Sequence, residues 1–123
     1  MQRRLLIVEP DLLTRWSLQT YLGRWFDVRT AAEANQGSRV VERWPVDALI
    51  VADDLTAGGI RDIEATARRC NPAVRVLHTI ARTADDAPPL DPSYVEKPFD
   101  LRRLADLLGV PTAPDSDNGT AAP

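Results

Sequence analysis

Side chains able to do chemistry stand where four candidate strands of this chain end. Glu9, Pro10 and Asp11 follow Leu5-Leu6-Ile7-Val8, and Asp53 and Asp54 follow Ala48-Leu49-Ile50-Val51-Ala52. Thr79 follows Val74 to His78, and Lys97 follows Tyr94-Val95-Glu96. Carboxylates can ligate a hard divalent cation, an ammonium can neutralise an anion, and a hydroxyl can donate to one. The plainer alternative is a set of strand-end charges that satisfy each other, Glu9 against Lys97 across a pocket. Lys97 is the only lysine among 15 Lys and Arg. His78 is a lone histidine read as a packed or half-exposed side chain, and a single cysteine, Cys70, allows neither an internal disulfide nor a cysteine-spaced metal site.

Those positions need elements to hold them. Leu5–Val8 reads as a strand covered on both faces. Asp11 is placed to cap a helix running to about Leu22 and stopped by Gly23. A more polar strand follows over Phe26–Ala31, then a helix over Glu33–Trp44, weakened by Gly37 and ended before Pro45. Asp47–Ala52 is a third strand, and a loop with Gly58-Gly59 leads to a helix over Ile60–Cys70 whose Ile63 and Ala67 face inward. Asn71-Pro72 breaks that helix, and Val74–His78 is strand four. Pro88, Pro89 and Pro92 leave room for one helical turn at most between Ala81 and Ser93. A short strand over Tyr94–Glu96 and a helix over Asp100–Leu108, closed by Gly109, complete the series. Residues 1–109 form one domain, and 110–123, without core-forming residues, read as a disordered tail or linker stub. Strand and helix alternating with apolar strands predict an α/β fold, a flavodoxin-like doubly wound five-stranded parallel sheet with its fourth helix shortened or missing. Function in such a sheet sits at the carboxyl ends of the strands.

Over residues 3 to 109 the chain resembles the receiver domain of two-component response regulators. Leu5-Leu6-Ile7-Val8-Glu9-Pro10-Asp11 is similar to the family's first strand with its acidic end. Pro45-Val46-Asp47-Ala48-Leu49-Ile50-Val51 is similar to the lead into the phosphoacceptor strand, and Asn71-Pro72 through Thr79 to the fourth strand. Tyr94-Val95-Glu96-Lys97-Pro98-Phe99-Asp100 matches the aromatic-x-x-Lys-Pro-Phe segment. The resemblance implies an aspartate that takes up a phosphoryl group, carboxylates that hold Mg²⁺, a lysine that pairs with the phosphoryl oxygens, and Thr79 and Tyr94 as the switch pair.

The chain departs from that pattern at two acid positions and again in the loop after strand three. Counting from Asp47, the phosphoacceptor position falls on Ala52, which cannot accept a phosphoryl group. The second acid of the strand-one pair falls on Pro10, which has no ligand to offer. Gly58-Gly59 stands where Asp-Gly is expected, and Thr56 is nearest to the missing loop proline. Asp53 reaches the phosphoacceptor position only if strand three carries a one-residue bulge; alternation of side chains otherwise turns it away. A working site would then use Glu9, Asp11 and Asp53 around Mg²⁺.

The sequence therefore predicts a pseudo-receiver, a signalling module that is not an enzyme, has no phosphoacceptor and needs no cofactor. The alternative is a Mg²⁺-dependent phosphoacceptor at Asp53. Expected partners are proteins: a histidine kinase, another regulator or an effector domain, with a homodimer through the first or last helix where one forms. A net charge of −3 leaves no overall electrostatic footprint for nucleic acid. No apolar run is long enough to span a bilayer, and a cytoplasmic setting is expected. Trp16, Trp25 and Trp44 lie on separate elements as packing or partner-surface residues. The Arg68-Arg69 and Arg102-Arg103 pairs read as solvated helix faces.

Overall fold

Leu5 to Val8 contains nothing polar to turn toward water, and it forms the buried heart of a sheet covered on both sides. The computed structural model describes residues 2–53, 55–81, 94–97 and 101–109, with backbone alone at Ala57, Ala81 and 94–97. The strands are β1 (Arg3–Val8), β2 (Phe26–Ala31), β3 (Ala48–Ala52), β4 (Arg75–Ala81) and β5 (Tyr94–Lys97). The helices are α1 (Leu12–Leu22), α2 (Ala34–Arg43), α3 (Ala57–Cys70) and α4 (Leu101–Leu107). All four strand pairs are parallel, in the order β2-β1-β3-β4-β5. This is the flavodoxin-like arrangement, whose strand order reverses between β1 and β3 and opens a crevice there.

Alternation along the strands divides the core in two. Leu5, Ile7, Ala48, Ile50 and Leu77 pack with Leu18 and Leu22 of α1 and Leu104 and Ala105 of α4. Leu6, Val8, Leu49, Val51 and Val76 pack on the opposite face with Val41 of α2 and Ile63 and Ala67 of α3. Asp11 caps α1 as expected, its Oδ2 accepting the Thr14 N–H at 2.8 Å and the Thr14 hydroxyl at 2.6 Å.

Four expectations need correction. Gly58-Gly59 is not loop: α3 starts at Ala57 because the Thr56 hydroxyl accepts the Gly59 N–H at 3.1 Å and caps the helix there. Gly37 is a packing device rather than a weak point. A Cβ there would run into Ile63 Cδ1 and come within 2.9 Å of Val8 Cγ2, so only glycine lets α2 lie this close to β1 and α3. β4 extends three residues beyond His78, because Thr79 to Ala81 find ladder partners in β5. Leu104, on the last helix through which a homodimer was expected as one possibility, is fully buried and belongs to the core instead. Gly109 closes α4 with φ at +82°, a conformation that favours glycine. Of the segment 81–93, where a shortened fourth helix is expected, Ala81 ends β4 and the remainder falls outside the described residues, as does the tail expected over 110–123.

Candidate functional site

The carboxyl ends of β1, β3 and β4 bring Glu9, Ala52 and Thr79 together. Val8 pairs with Val51, so Glu9 follows opposite Ala52, and Ala52 itself pairs with Thr79. All three continue the alternation of Ile7, Ile50 and Leu77, so they share the face covered by α1 and α4. Glu9 is 1% exposed, and Ala52 and Thr79 are fully buried.

Strand β3 has no bulge. Its pairing with β4 runs without interruption from Ala48 to Ala52, and the ladder carries on to the Asp53 N–H, which donates to Thr79 O at 2.9 Å. The Asp53 side chain follows the opposite alternation and is exposed. Register thus brings Ala52, not Asp53, beside Glu9 and Thr79.

Local hydrogen bonds hold Glu9. Its Oε2 accepts the Asp11 N–H at 2.9 Å, its own N–H donates to Ala31 O at 3.0 Å, and its carbonyl accepts Arg15 Nη1 at 2.8 Å. A carboxylate over the first turn of α1 also meets the positive end of the helix dipole. The Thr79 hydroxyl is buried and has no hydrogen-bond partner among the described residues. Pro10 is exposed, and the Asp11 carboxylate is engaged in its cap.

Sequence reasoning missed Arg15, which brings a guanidinium to the rim of this pocket. The signal was available: long helical side chains lean back toward the helix amino terminus, and Arg15 lies one turn into α1. Lys97 and Tyr94 sit on β5, with His78 opposite Tyr94 and Ala81 opposite Lys97. Their side chains, and with them the expected pairing of Glu9 with Lys97, lie outside the described residues, as does Asp54. His78 Nε2 meets Glu64 Oε1 at 2.9 Å, and Glu64 Oε2 meets Arg68 at 2.9 Å, so this histidine is engaged against α3. Beside the pocket, Leu12, Leu13 and Trp16 of α1 are 65%, 73% and 61% exposed, a patch of large apolar side chains.

The sequence matches no protein-family model and no curated protein. Its fold matches solved structures well. A CheY-like response regulator receiver domain protein from Methanospirillum hungatei superposes with a TM-score of 0.72 at 19% identity, over 89% of this chain and 92% of that one. A response regulator receiver protein from Sinorhizobium medicae gives 0.71 at 14% identity, over 88% and 95%. A response regulator receiver modulated diguanylate cyclase from Pelobacter carbinolicus gives 0.69 at 16%, over 87% and 89%. The chain has the fold of response regulator receiver domains. No helix among the described residues is long and apolar enough to cross a membrane.

Proposed function

We propose that this chain is a receiver-like module of a two-component or phosphorelay pathway that signals by contact with a protein partner, without phosphorylation of an aspartate and without catalysing a reaction of its own. The observation that carries the reading is the uninterrupted register of β3, which ends on Ala52 between Glu9 and Thr79 and leaves Asp53 exposed. Phosphoryl uptake needs an oxygen nucleophile where that methyl group stands.

The donor set also fits Mg²⁺ poorly. A hard cation of this size needs several oxygens in near-octahedral order. Here Pro10 and Ala52 supply none from their side chains, one oxygen of Asp11 is bound in the α1 cap, and one oxygen of Glu9 is bound to the Asp11 N–H. No step of the proposed function passes through a metal. The pocket instead works as a fixed piece of architecture: Glu9 braces the start of α1, and Arg15 ties that helix to the end of β1. Leu12, Leu13 and Trp16 then stand as an apolar surface that a cytoplasmic partner, whether a histidine kinase, another regulator or an effector domain, would cover.

Incubation with Mg²⁺ and acetyl phosphate, read by intact mass beside a receiver known to be phosphorylated, tests the proposal. No added phosphoryl group is the expected result. A single adduct that disappears in Asp53→Ala would overturn it and make the chain a Mg²⁺-dependent phosphoacceptor.

A further inference from the structure

Three arginines converge between β2 and the carboxyl-terminal half of α2, apart from the residues of the strand-end pocket. Arg29 of β2 and Arg39 and Arg43 of α2 line a groove of about 410 Å³, completed by Val40 and Glu42. The adjoining indole of Trp44 is nearly buried, with the Arg29 guanidinium 4.4 Å from its ring centroid and the Arg4 guanidinium 5.2 Å away. Stacking on the indole holds Arg29 in place before any ligand arrives.

Arg29, Arg39 and Arg43 have no ion-pair partner among the described residues. Glu42, the acid of the lining, lies 3.7 Å from Arg69 of α3. Arg39 and Arg43 are four residues apart on one helix, a spacing at which like charges repel. Arg43 recovers part of that through the carboxyl end of α2, and Arg39 does not. In a chain of net charge −3, gathering these groups around one groove works against local stability.

We propose that this groove docks a carboxylate-rich segment of a partner protein, with acidic side chains held by Arg29, Arg39 and Arg43. The planar guanidinium matches a carboxylate bidentately. β2 is the edge strand of the sheet, with no further strand on its outer side among the described residues, so an extended segment can lie along that edge. Nucleic acid fits less well: Arg29 covers the indole on which a base would stack, Glu42 stands on the rim, and the whole chain is negative. The groove shares no residue with Glu9, Ala52 or Thr79, and it stands whatever the chemistry of that pocket.

Fluorescence anisotropy of the full chain tests this, using a fluorescein-labelled peptide of alternating Glu and Gly, its Gln counterpart, and a short single-stranded oligonucleotide. The Glu peptide should bind saturably at low salt, lose affinity as salt rises, and bind roughly tenfold more weakly to Arg39→Ala/Arg43→Ala. Arg39→Gln alone should weaken it roughly threefold, and Arg61→Ala on the exposed face of α3 should leave it unchanged. Circular dichroism should show all three variants folded, since each replaced side chain is exposed. Absence of saturable Glu-peptide binding, equal binding of the Gln peptide, equal loss in Arg61→Ala, or tighter binding of the oligonucleotide would each overturn the proposal.

Discussion

Ala52→Asp puts a carboxylate into a fully buried position, with Thr79 paired to it on β4 and Glu9 opposite it at the end of β1. Adjacent strands lie about 4.8 Å apart, so the introduced group and the Glu9 carboxylate stand about 5 Å apart on the same face. With an effective dielectric of about 20, two like charges at that distance repel by about 3 kcal/mol. Ala52→Asn adds nearly the same volume without the charge and removes the steric contribution from the comparison. Urea unfolding at pH 7 should therefore find the Asp variant about 3 kcal/mol less stable than the Asn variant. The pH dependence has a definite sign. Burial and the Glu9 charge both raise the introduced carboxyl above its unfolded value, so the folded state keeps its proton to higher pH. More protons bound when folded means that stability falls as pH rises. The gap should be fully open above the folded pKa and close below about pH 4, the unfolded value. Millimolar Mg²⁺ should restore part of the loss in Ala52→Asp and leave the Tm of the natural chain nearly unchanged. Equal stability of the Asp and Asn variants at pH 7 would refute the reasoning, because it would mean that position 52 does not face Glu9. A rise of several degrees in the natural chain on adding Mg²⁺ would refute the reading of its donor set.

Further predictions come from packing and caps. Gly37→Ala gains about 1 kcal/mol of helix propensity but drives a methyl into Ile63 and Val8, an overpacking of about 1–3 kcal/mol, and should be a net loss by denaturant unfolding. Adding Ile63→Val should recover part of that loss, giving a double-mutant cycle that is not additive. Asp11→Ala should cost about 1 kcal/mol through the lost α1 cap, whereas Asp11→Asn should retain most of it. Trp16→Ala should change stability by less than about 0.5 kcal/mol, since its side chain is mostly exposed. It should also weaken any homodimer formed through α1, as read by analytical ultracentrifugation. Leu104→Ala is no probe of such a surface, because burial makes it a core deletion of about 2–5 kcal/mol.

The amino-acid sequence determined the elements whose free energy is local. Phe26–Ala31 is bounded by its own residues, and β2 has those limits. Asp11 and Thr14 form the α1 cap from three positions apart, so that cap was legible as well. Unbroken apolar runs in β1 and β3 imply burial on both faces, and this was enough to reach the parallel sheet and to set Glu9, Ala52 and Thr79 at strand ends. What depended on distant partners was not legible. Gly37 read as a flaw because Val8 and Ile63, which require it, lie 29 and 26 positions away. β4 read short because Ile80 and Ala81 are strand through their pairing with β5. Whether Asp53 or Ala52 faces Glu9 depends on a register that one extra residue would invert, and no propensity encodes it; the ladder to β4 decided it. The groove of Arg29, Arg39 and Arg43 beside Trp44 likewise exists only because β2 and the end of α2 meet in space. Propensities and caps act between neighbours along the chain, whereas register, close approach and converging charge depend on the geometry of residues far apart in sequence, which only folding establishes.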